Sequence, residues 1–597
     1  MYEFAGWFLS RRLKDSPNNL LRTMLPPCRE IQTGENYAFA AGKTERIGVT
    51  PSVTALISGN PSWLDGKWAE QARQHGTAKS IALAFLAQGP NFLDLLSGPF
   101  SLALYDHESQ QGLLAIDHMG CCPLAYAETT EGLIFAGDLS TLRTHPAIDG
   151  QPDPQALLAY LYFHMIPAPL SIYRNVRKLL PGHCLLWKGG SITLDRYWQP
   201  RFDDNPRSEA KLARLLRGTL KEAVSSCIET PFATGTFLSG GLDSSTITGL
   251  FKQLSPDAEA FSIGFAAEGY DEMEYARASA RHFGVSLHEY YVTPDDVVAA
   301  IPTIAAEYDE PFGNASAVPT YYCARLAREA GKTCLLAGDG GDELFAGNDR
   351  YGKQKIFSLY ERIPWWLRAL LIEPVAGLDL PLLGKIKSYV EQARIPMPDR
   401  MESYNFLHRS PLPEIFEEDF LVAIDPQWPL RHLRKLYHSP ETDSLLKRML
   451  FLDWKITLAD NDLRKVNRMC TLAGMEVRYP MLQRPVVELA ARIPDRLLMR
   501  GFELRSFYRH AFQDFLPAST LEKRKHGFGL PFGLWLQSDP SLQALAYDSL
   551  GSRHFSGIVK PGYLNTLKSR HQQGHASYYG VMIWVLMMWA QWAEQHH

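Results

Sequence analysis

Two short glycine-rich runs carry the residues whose types and spacing could do chemistry. The first is Thr236-Phe237-Leu238-Ser239-Gly240-Gly241-Leu242-Asp243-Ser244-Ser245, and the second is Ala337-Gly338-Asp339-Gly340-Gly341-Asp342-Glu343. A strand that turns through Gly-Gly into a helix leaves backbone N–H groups pointing outward. Together with the positive end of the helix dipole they make a seat for an anion. The hydroxyls of Ser239, Ser244 and Ser245 add donors. The run is not the G-x-x-x-x-G-K-[ST] loop, since no lysine follows the glycines, nor is it G-x-G-x-x-G. It holds an acid, Asp243, and a carboxylate beside phosphates makes sense only with a metal between them. Asp342 is likewise flanked by glycines that let the backbone approach a ligand closely. Two carboxylates facing a triphosphate repel it unless Mg²⁺ intervenes, so the pair predicts ATP with one or two hard cations held by Asp243 and Asp342. Alone, each run also reads as an ordinary capped turn; paired, they favour the nucleotide.

These runs must be positioned by strands and helices. From about 208 onward the pattern predicts strands over 233–238, 258–265, 286–292 and 333–336. Helices are predicted over 209–226, 243–254, 272–283, 294–307 and 318–330. Short strands alternating with longer helices indicate an α/β doubly wound parallel sheet, in which ligands sit outside the carboxyl ends of the strands. Both runs begin at such ends. Before 200 the pattern changes to short alternating segments (100–106, 111–116, 133–136) with helices over 80–88 and 153–164, and Pro181-Gly182 turns into a final hairpin. That is an α+β domain built on antiparallel sheets. Two domains are expected, 1–200 and 208–597, parted at Asp203-Asp204-Asn205-Pro206. Between 364 and 440 lies a Pro-, Trp- and Arg-rich stretch, with a helical piece over 365–372, that fits a substrate-adapted insertion.

A chain of 597 residues with 46% hydrophobic and 21% charged residues is ordinary for a soluble enzyme of more than one core. Its formal net charge of −4 and lack of a long Lys/Arg tract give nothing for nucleic acid. Eight scattered cysteines without C-x-x-C suit a reducing compartment. With no signal peptide in view, a cytoplasmic location is expected. The apolar run at 579–590 is too short to span a bilayer and predicts a buried helix.

Longer stretches resemble asparagine synthetases. In the first domain these are Asp94-Leu95-Leu96-Ser97-Gly98-Pro99-Phe100, Asp117-His118-Met119-Gly120-Cys121-Cys122-Pro123-Leu124 and Leu180-Pro181-Gly182-His183. They are similar to the family's glutaminase domain, which implies an Ntn-hydrolase-like antiparallel sandwich. The family's nucleophile is a cysteine exposed by loss of the initiator methionine, whereas this chain reads Met1-Tyr2. A tyrosine with pKa near 10 is a poor acyl acceptor, and Cys28 has no free amine beside it. Glutaminase activity is therefore expected to be absent.

In the second domain, Ser239-Gly240-Gly241-Leu242-Asp243-Ser244 resembles the pyrophosphate loop of ATP pyrophosphatases, an adenine nucleotide alpha hydrolase-like fold. Phe261-Ser262-Ile263-Gly264-Phe265 resembles its adenine-side strand, and Lys523-Arg524-Lys525-His526-Gly527-Phe528-Gly529 its Lys-x-Gly-Phe segment. The resemblance implies AMP-forming carbon–nitrogen ligation through an acyl-adenylate. The expected nucleotide contacts are Leu238, Ser239, Gly240, Gly241, Asp243, Ser244, Ser245, Ile263, Gly264, Gly338 and Lys523. Lys525 is expected to stabilise charge on the α-phosphate, and Asp339 to orient or deprotonate an amine or to serve as a metal-side carboxylate. The stretches 458–470 and 474–482 match further family segments, except that Asn467 and Gln483 replace acidic residues. Arg468, Glu476 and Arg478 are expected to hold one another.

Without the cysteine, two relatives of asparagine synthetase come into view. β-Lactam synthetases carry a tyrosine where this chain has Asp339. Lasso-peptide macrolactam synthetases join an Asp or Glu side chain of a precursor peptide to its N-terminal amine. Length and insertion favour the second, with a precursor peptide and a leader protease of the same pathway as expected partners. The alternatives are an asparagine synthetase-like enzyme amidating aspartate with ammonia, a β-lactam synthetase-like cyclase, and a non-catalytic scaffold.

Overall fold

The computed structural model describes residues 3–596 apart from 11–15, 205–206, 268, 362, 369, 371–383 and 524–528. Met1, Tyr2 and Lys525 thus lie outside the described residues, as does much of the 365–372 piece, of which Trp365–Leu367 is helical.

The N-terminal part is a sandwich of two six-stranded antiparallel sheets. One runs in the order Val176–Lys178, Ala125–Glu128, Gly132–Ala136, Phe4–Leu9, Tyr37–Ala41, Glu30–Thr33. The other runs Ser191–Arg196, His183–Lys188, Gln111–Ile116, Phe100–Asp106, Val53–Gly59, Ile47–Val49. Alternation along each strand sets the layers. Phe4 and Phe8 face inward onto Phe39, Tyr105, Phe135 and Trp187, while Ala5, Trp7 and Leu9 face helices that include Pro17–Met24 and Pro154–Phe163. The opposite outer face packs Val53, Ile57, Leu102 and Leu104 against helices Gly66–His75 and Thr77–Gln88. The predicted α+β sandwich is the observed fold, and the final hairpin pairs His183–Lys188 with Ser191–Arg196.

The C-terminal part is built on a five-stranded, wholly parallel sheet. Its order is Ser286–Val292, Glu259–Phe265, Thr234–Phe237, Cys334–Leu336, Glu476–Arg478. The first strand in the chain, Thr234–Phe237, is central: the next goes to one side of it and Cys334–Leu336 to the other. This reversal opens a crevice at the carboxyl ends of those two neighbours. The predicted doubly wound α/β sheet is therefore present, with one strand, Glu476–Arg478, in a stretch for which no strand was expected. The helical run after Ser444 is α-helical over Leu445–Asp453 and Leu463–Leu472, with a nine-residue π-helix, Trp454–Asp462, between them.

Charge lies buried where the two parts meet. Glu310, 1% exposed, accepts from Lys178 Nζ at 2.5 Å, Arg464 Nη1 at 2.5 Å and the Ile172 amide at 3.1 Å. Asp309 accepts from the Leu139 amide at 2.8 Å and pairs with Arg464 and Arg468, which hold its carboxyl well below the usual range. The expected grouping of Arg468, Glu476 and Arg478 is thereby corrected. Arg478 does lie 3.5 Å from Glu476 and 2.7 Å from Glu229, but Arg468 is drawn to Asp309 at 2.7 Å. The neutral Asn467 bridges the parts by donating to the Cys121 carbonyl (2.8 Å) and accepting from Tyr479 (2.9 Å). The C-terminal helix Ala576–His596 is buried along most of its length. Among the described residues no helix is long and apolar enough to cross a membrane.

Candidate active site

The crevice is an open cleft of about 930 Å³, and both glycine-rich loops form its wall. Thr234–Phe237 delivers the first loop, which turns at Gly240 (φ 68°) into the helix Leu242–Leu254. A side chain at Gly240 would meet the backbone of Tyr275 at 2.2 Å, so only glycine closes this turn. Ser239 and Ser244 brace it through their hydroxyls, 3.1 Å apart, and the Ser239 amide lies 3.2 Å from Ser244 Oγ. Leu242, Asp243 and Ser244 of the helix's first turn line the cleft, and the N–H groups of a helix's first turn suit phosphate.

The second loop follows Cys334–Leu336 and packs directly on the first. A β-carbon at Gly341 would sit 1.9 Å from Asp243 Oδ1, and one at Gly338 would sit 2.8 Å from the Ser244 amide. The bare glycines are what let Asp243 and Asp342 approach. One atom marks how close they come: Arg505 Nη1 donates to Asp243 Oδ2 at 2.5 Å and to Asp342 Oδ1 at 2.9 Å. Arg505 Nη2 also bonds Asp243 Oδ1, and the face of Tyr508 lies 4.5 Å from the guanidinium. Asp339 lines the same cleft. Its sequestered position pushes its carboxyl up to about 6, against the pull of nearby Lys465. Lys465 itself is bonded to Asp462 at 2.8 Å. The neighbouring Glu343 is buried among Asp342, Asp462 and Asp453, which raises its carboxyl well above the ordinary range.

Of the residues expected at the site, Leu238, Ser239, Gly241, Asp243, Ser244, Ile263, Gly338, Asp339, Asp342 and Lys523 line this cleft. Gly240 supports it from behind. Ser245 does not face it: the side chain is fully buried, 2.9 Å from Ser279 Oγ on the next helix. Successive helical residues are turned by about 100°, so Ser244 and Ser245 cannot share a face. Gly264 is a packing position, where a β-carbon would meet the Tyr291 ring at 2.6 Å. Lys523 reaches the first loop at the Ser239 carbonyl (3.1 Å) and pairs with Glu272 (3.1 Å), and burial lowers its pKa. Charged residues of the cleft that were missed include Arg505, Lys465 and Glu272. The Asp462-x-x-Lys465 spacing on a helix is the one local signal that could have flagged any of them.

The donor set fits a hard cation. Among the described residues no cluster of three or more His, Cys, Asp or Glu could hold a metal alone. Mg²⁺, however, takes one or two carboxylates and completes its shell with water and phosphate oxygens. Asp243 and Asp342 supply two carboxylates beside an anion seat.

Residues 215–594 match the family model described as asparagine synthase. The chain belongs to the asparagine synthase family. Residues 67–198 match a glutamine amidotransferase domain. Similar proteins include asparagine synthetase [glutamine-hydrolyzing] 1 of Bacillus subtilis (strain 168), 28% identical over 74% of this chain and 69% of that protein. Asparagine synthetase B [glutamine-hydrolyzing] of Escherichia coli (strain K12) is 23% identical over 76% of this chain and 65% of that one. Membership in the asparagine synthase family makes the chain an ATP-dependent, amide-forming ligase of the asparagine synthetase type. The expectation that glutaminase chemistry is absent is overturned by the amidotransferase match and by these relatives. That expectation rested on single positions, Tyr2 and Cys28, whereas the match extends over residues 67–198 of the sandwich.

Proposed function

We propose that the chain amidates aspartate at the cleft, using ATP and nitrogen released from glutamine in the N-terminal sandwich. The observation that carries this reading is the meeting of two loops about a hundred residues apart on a shared pair of carboxylates, Asp243 and Asp342. The names of the relatives favour aspartate and glutamine as substrates. In this reading the turn Leu238–Gly241 and the first turn of the following helix hold the β- and γ-phosphates, and Lys523 braces that turn through Ser239. Ile263 and Gly338 flank the nucleotide. When bound by Asp243 and Asp342, Mg²⁺ would supply charge neutralisation for the departing pyrophosphate. The substrate carboxylate attacks the α-phosphorus and pyrophosphate leaves. The nitrogen then attacks the acyl carbon of the adenylate and AMP departs. Lys525 is assigned from sequence as the charge stabiliser of both steps. Asp339, ionised above about pH 6, accepts the proton that the attacking nitrogen sheds.

A second reading, closure of a lasso-peptide macrolactam, uses the same adenylate but a precursor peptide as both acid and amine. The cleft, about 930 Å³ and open to solvent, lies at the upper end of the few hundred to roughly 1,000 Å³ of small-molecule pockets and leaves room for it. The two are separated by following AMP and pyrophosphate with ATP plus aspartate and glutamine, with aspartate and ammonium, and with an Asp- or Glu-containing precursor peptide. Asparagine and glutamate formed in the first mixture support the proposal. Turnover only with the peptide would reject it.

A further inference from the structure

Arg505 is 5% exposed, and its guanidinium occupies the angle between Asp243 and Asp342. Any cation that used both carboxylates would contend with it. A guanidinium carries five N–H donors in a fixed fork. Here Nη1 and Nη2 are spent on the two aspartates, whereas Nε is buried without a hydrogen-bond partner among the described residues. A buried donor left unpaired is unfavourable, so the seat that satisfies the carboxylates leaves the arginine incompletely satisfied. The backbone adds to this. Arg505 sits at φ 59°, in the left-handed region that side-chain-bearing residues seldom adopt, at the entry to the helix Ser506–Phe512. Phosphate oxygens in the adjacent anion seat would offer the fork an acceptor-rich partner of the kind arginine binds in bidentate fashion.

We propose that Arg505 is a built-in counter-cation of the Asp243–Asp342 pair. It disfavours divalent metal arriving alone and yields the carboxylates when a nucleotide's phosphates take the guanidinium, so that metal and nucleotide load together. The inference rests on reading Asp243 and Asp342 as the cation pair, and it deepens that reading by giving the site an order of loading. Neighbouring charges are consistent with it. Lys465 is occupied by Asp462 and Lys523 by Glu272, which leaves Arg505 as the cation bonded to both aspartates among the described residues.

The test uses the full chain, Mn²⁺ as the probe of the cation site, and the non-cleavable analogue α,β-methylene-ATP. Free and bound Mn²⁺ are counted by electron paramagnetic resonance. In the wild-type protein the analogue should tighten Mn²⁺ at least tenfold. In Arg505→Met, free Mn²⁺ should bind at least tenfold tighter than in wild type, and the gain on adding the analogue should shrink. Arg505→Lys keeps a charge that cannot span both carboxylates and should fall between them; it also serves if the methionine variant does not fold, as judged by circular dichroism. Free Mn²⁺ bound no more tightly by either variant would overturn the proposal. If Asp243→Asn leaves Mn²⁺ binding with the analogue unchanged, the reading of the cation pair itself fails, a distinct outcome.

Discussion

Gly341 offers the cleanest perturbation of the loop pairing. Its backbone is not in the left-handed region, and it begins the short helix Gly341–Phe345, so alanine suits it locally and would favour the helix by roughly 0.8–1 kcal/mol. The obstacle is across the loops: the added methyl would lie 1.9 Å from Asp243 Oδ1 and 2.2 Å from its Cγ. Ordinary van der Waals contact requires the carboxylate to retreat by more than about an ångström, and a misplacement of that size costs on the order of 10²-fold in rate. That equals about 2.7 kcal/mol of transition-state stabilisation. Gly341→Ala should therefore keep its thermal midpoint within a few degrees of wild type while losing about two orders of magnitude in ATP cleavage to AMP. Activity within threefold of wild type would show that the position of Asp243 is not what the chemistry depends on. Gly340→Ala is no substitute for this test, since φ 96° and contact with Leu482 would disturb folding as well.

Other consequences can be measured together. The rate of amide formation should rise with pH through about 6 as Asp339 ionises. In Asp339→Asn that limb should vanish and the plateau fall at least 10²-fold; an unchanged limb would assign it to another group. Lys178→Met removes one of two cations from the buried Glu310 and should lower stability by about 3 kcal/mol in urea unfolding, with a loss under about 0.5 kcal/mol contradicting the interface account. His118 is buried beside Arg484 and Lys455, and its pKa is depressed to about 3. Only the unfolded chain takes up its proton between pH 6.5 and 3, so its contribution to stability is whole above 6.5 and is lost as pH falls. His118→Phe should flatten the acid-side slope by up to about 1.4 kcal/mol per pH unit; an unaltered slope in urea titrations would refute this.

The parallel sheet was legible because short strand-like runs alternate with longer helical patterns. Its two glycine loops were legible because close backbone approach selects glycine locally. Other features depend on partners that no local pattern announces. Arg505 stands 262 positions from Asp243 in the chain and in sequence is one arginine among many. The strand Glu476–Arg478 is three residues long, too short for its alternation to stand out as a strand. The π-helix Trp454–Asp462 differs from an α-helix by a register of backbone hydrogen bonds rather than by composition. Ser245 was grouped with Ser244 by adjacency, although a helix turns adjacent residues apart. The glutaminase expectation gave Tyr2 and Cys28 more weight than the strands and turns between 67 and 198.

The central claim is that ATP is cut between its α and β phosphates in the cleft between the two loops. Phosphorus NMR of the products formed from ATP, Mg²⁺, aspartate and glutamine tests it most directly. AMP and pyrophosphate in equal amounts, matched by amide and abolished in Asp243→Asn, are predicted. ADP and inorganic phosphate, or cleavage that persists without Asp243, would contradict it.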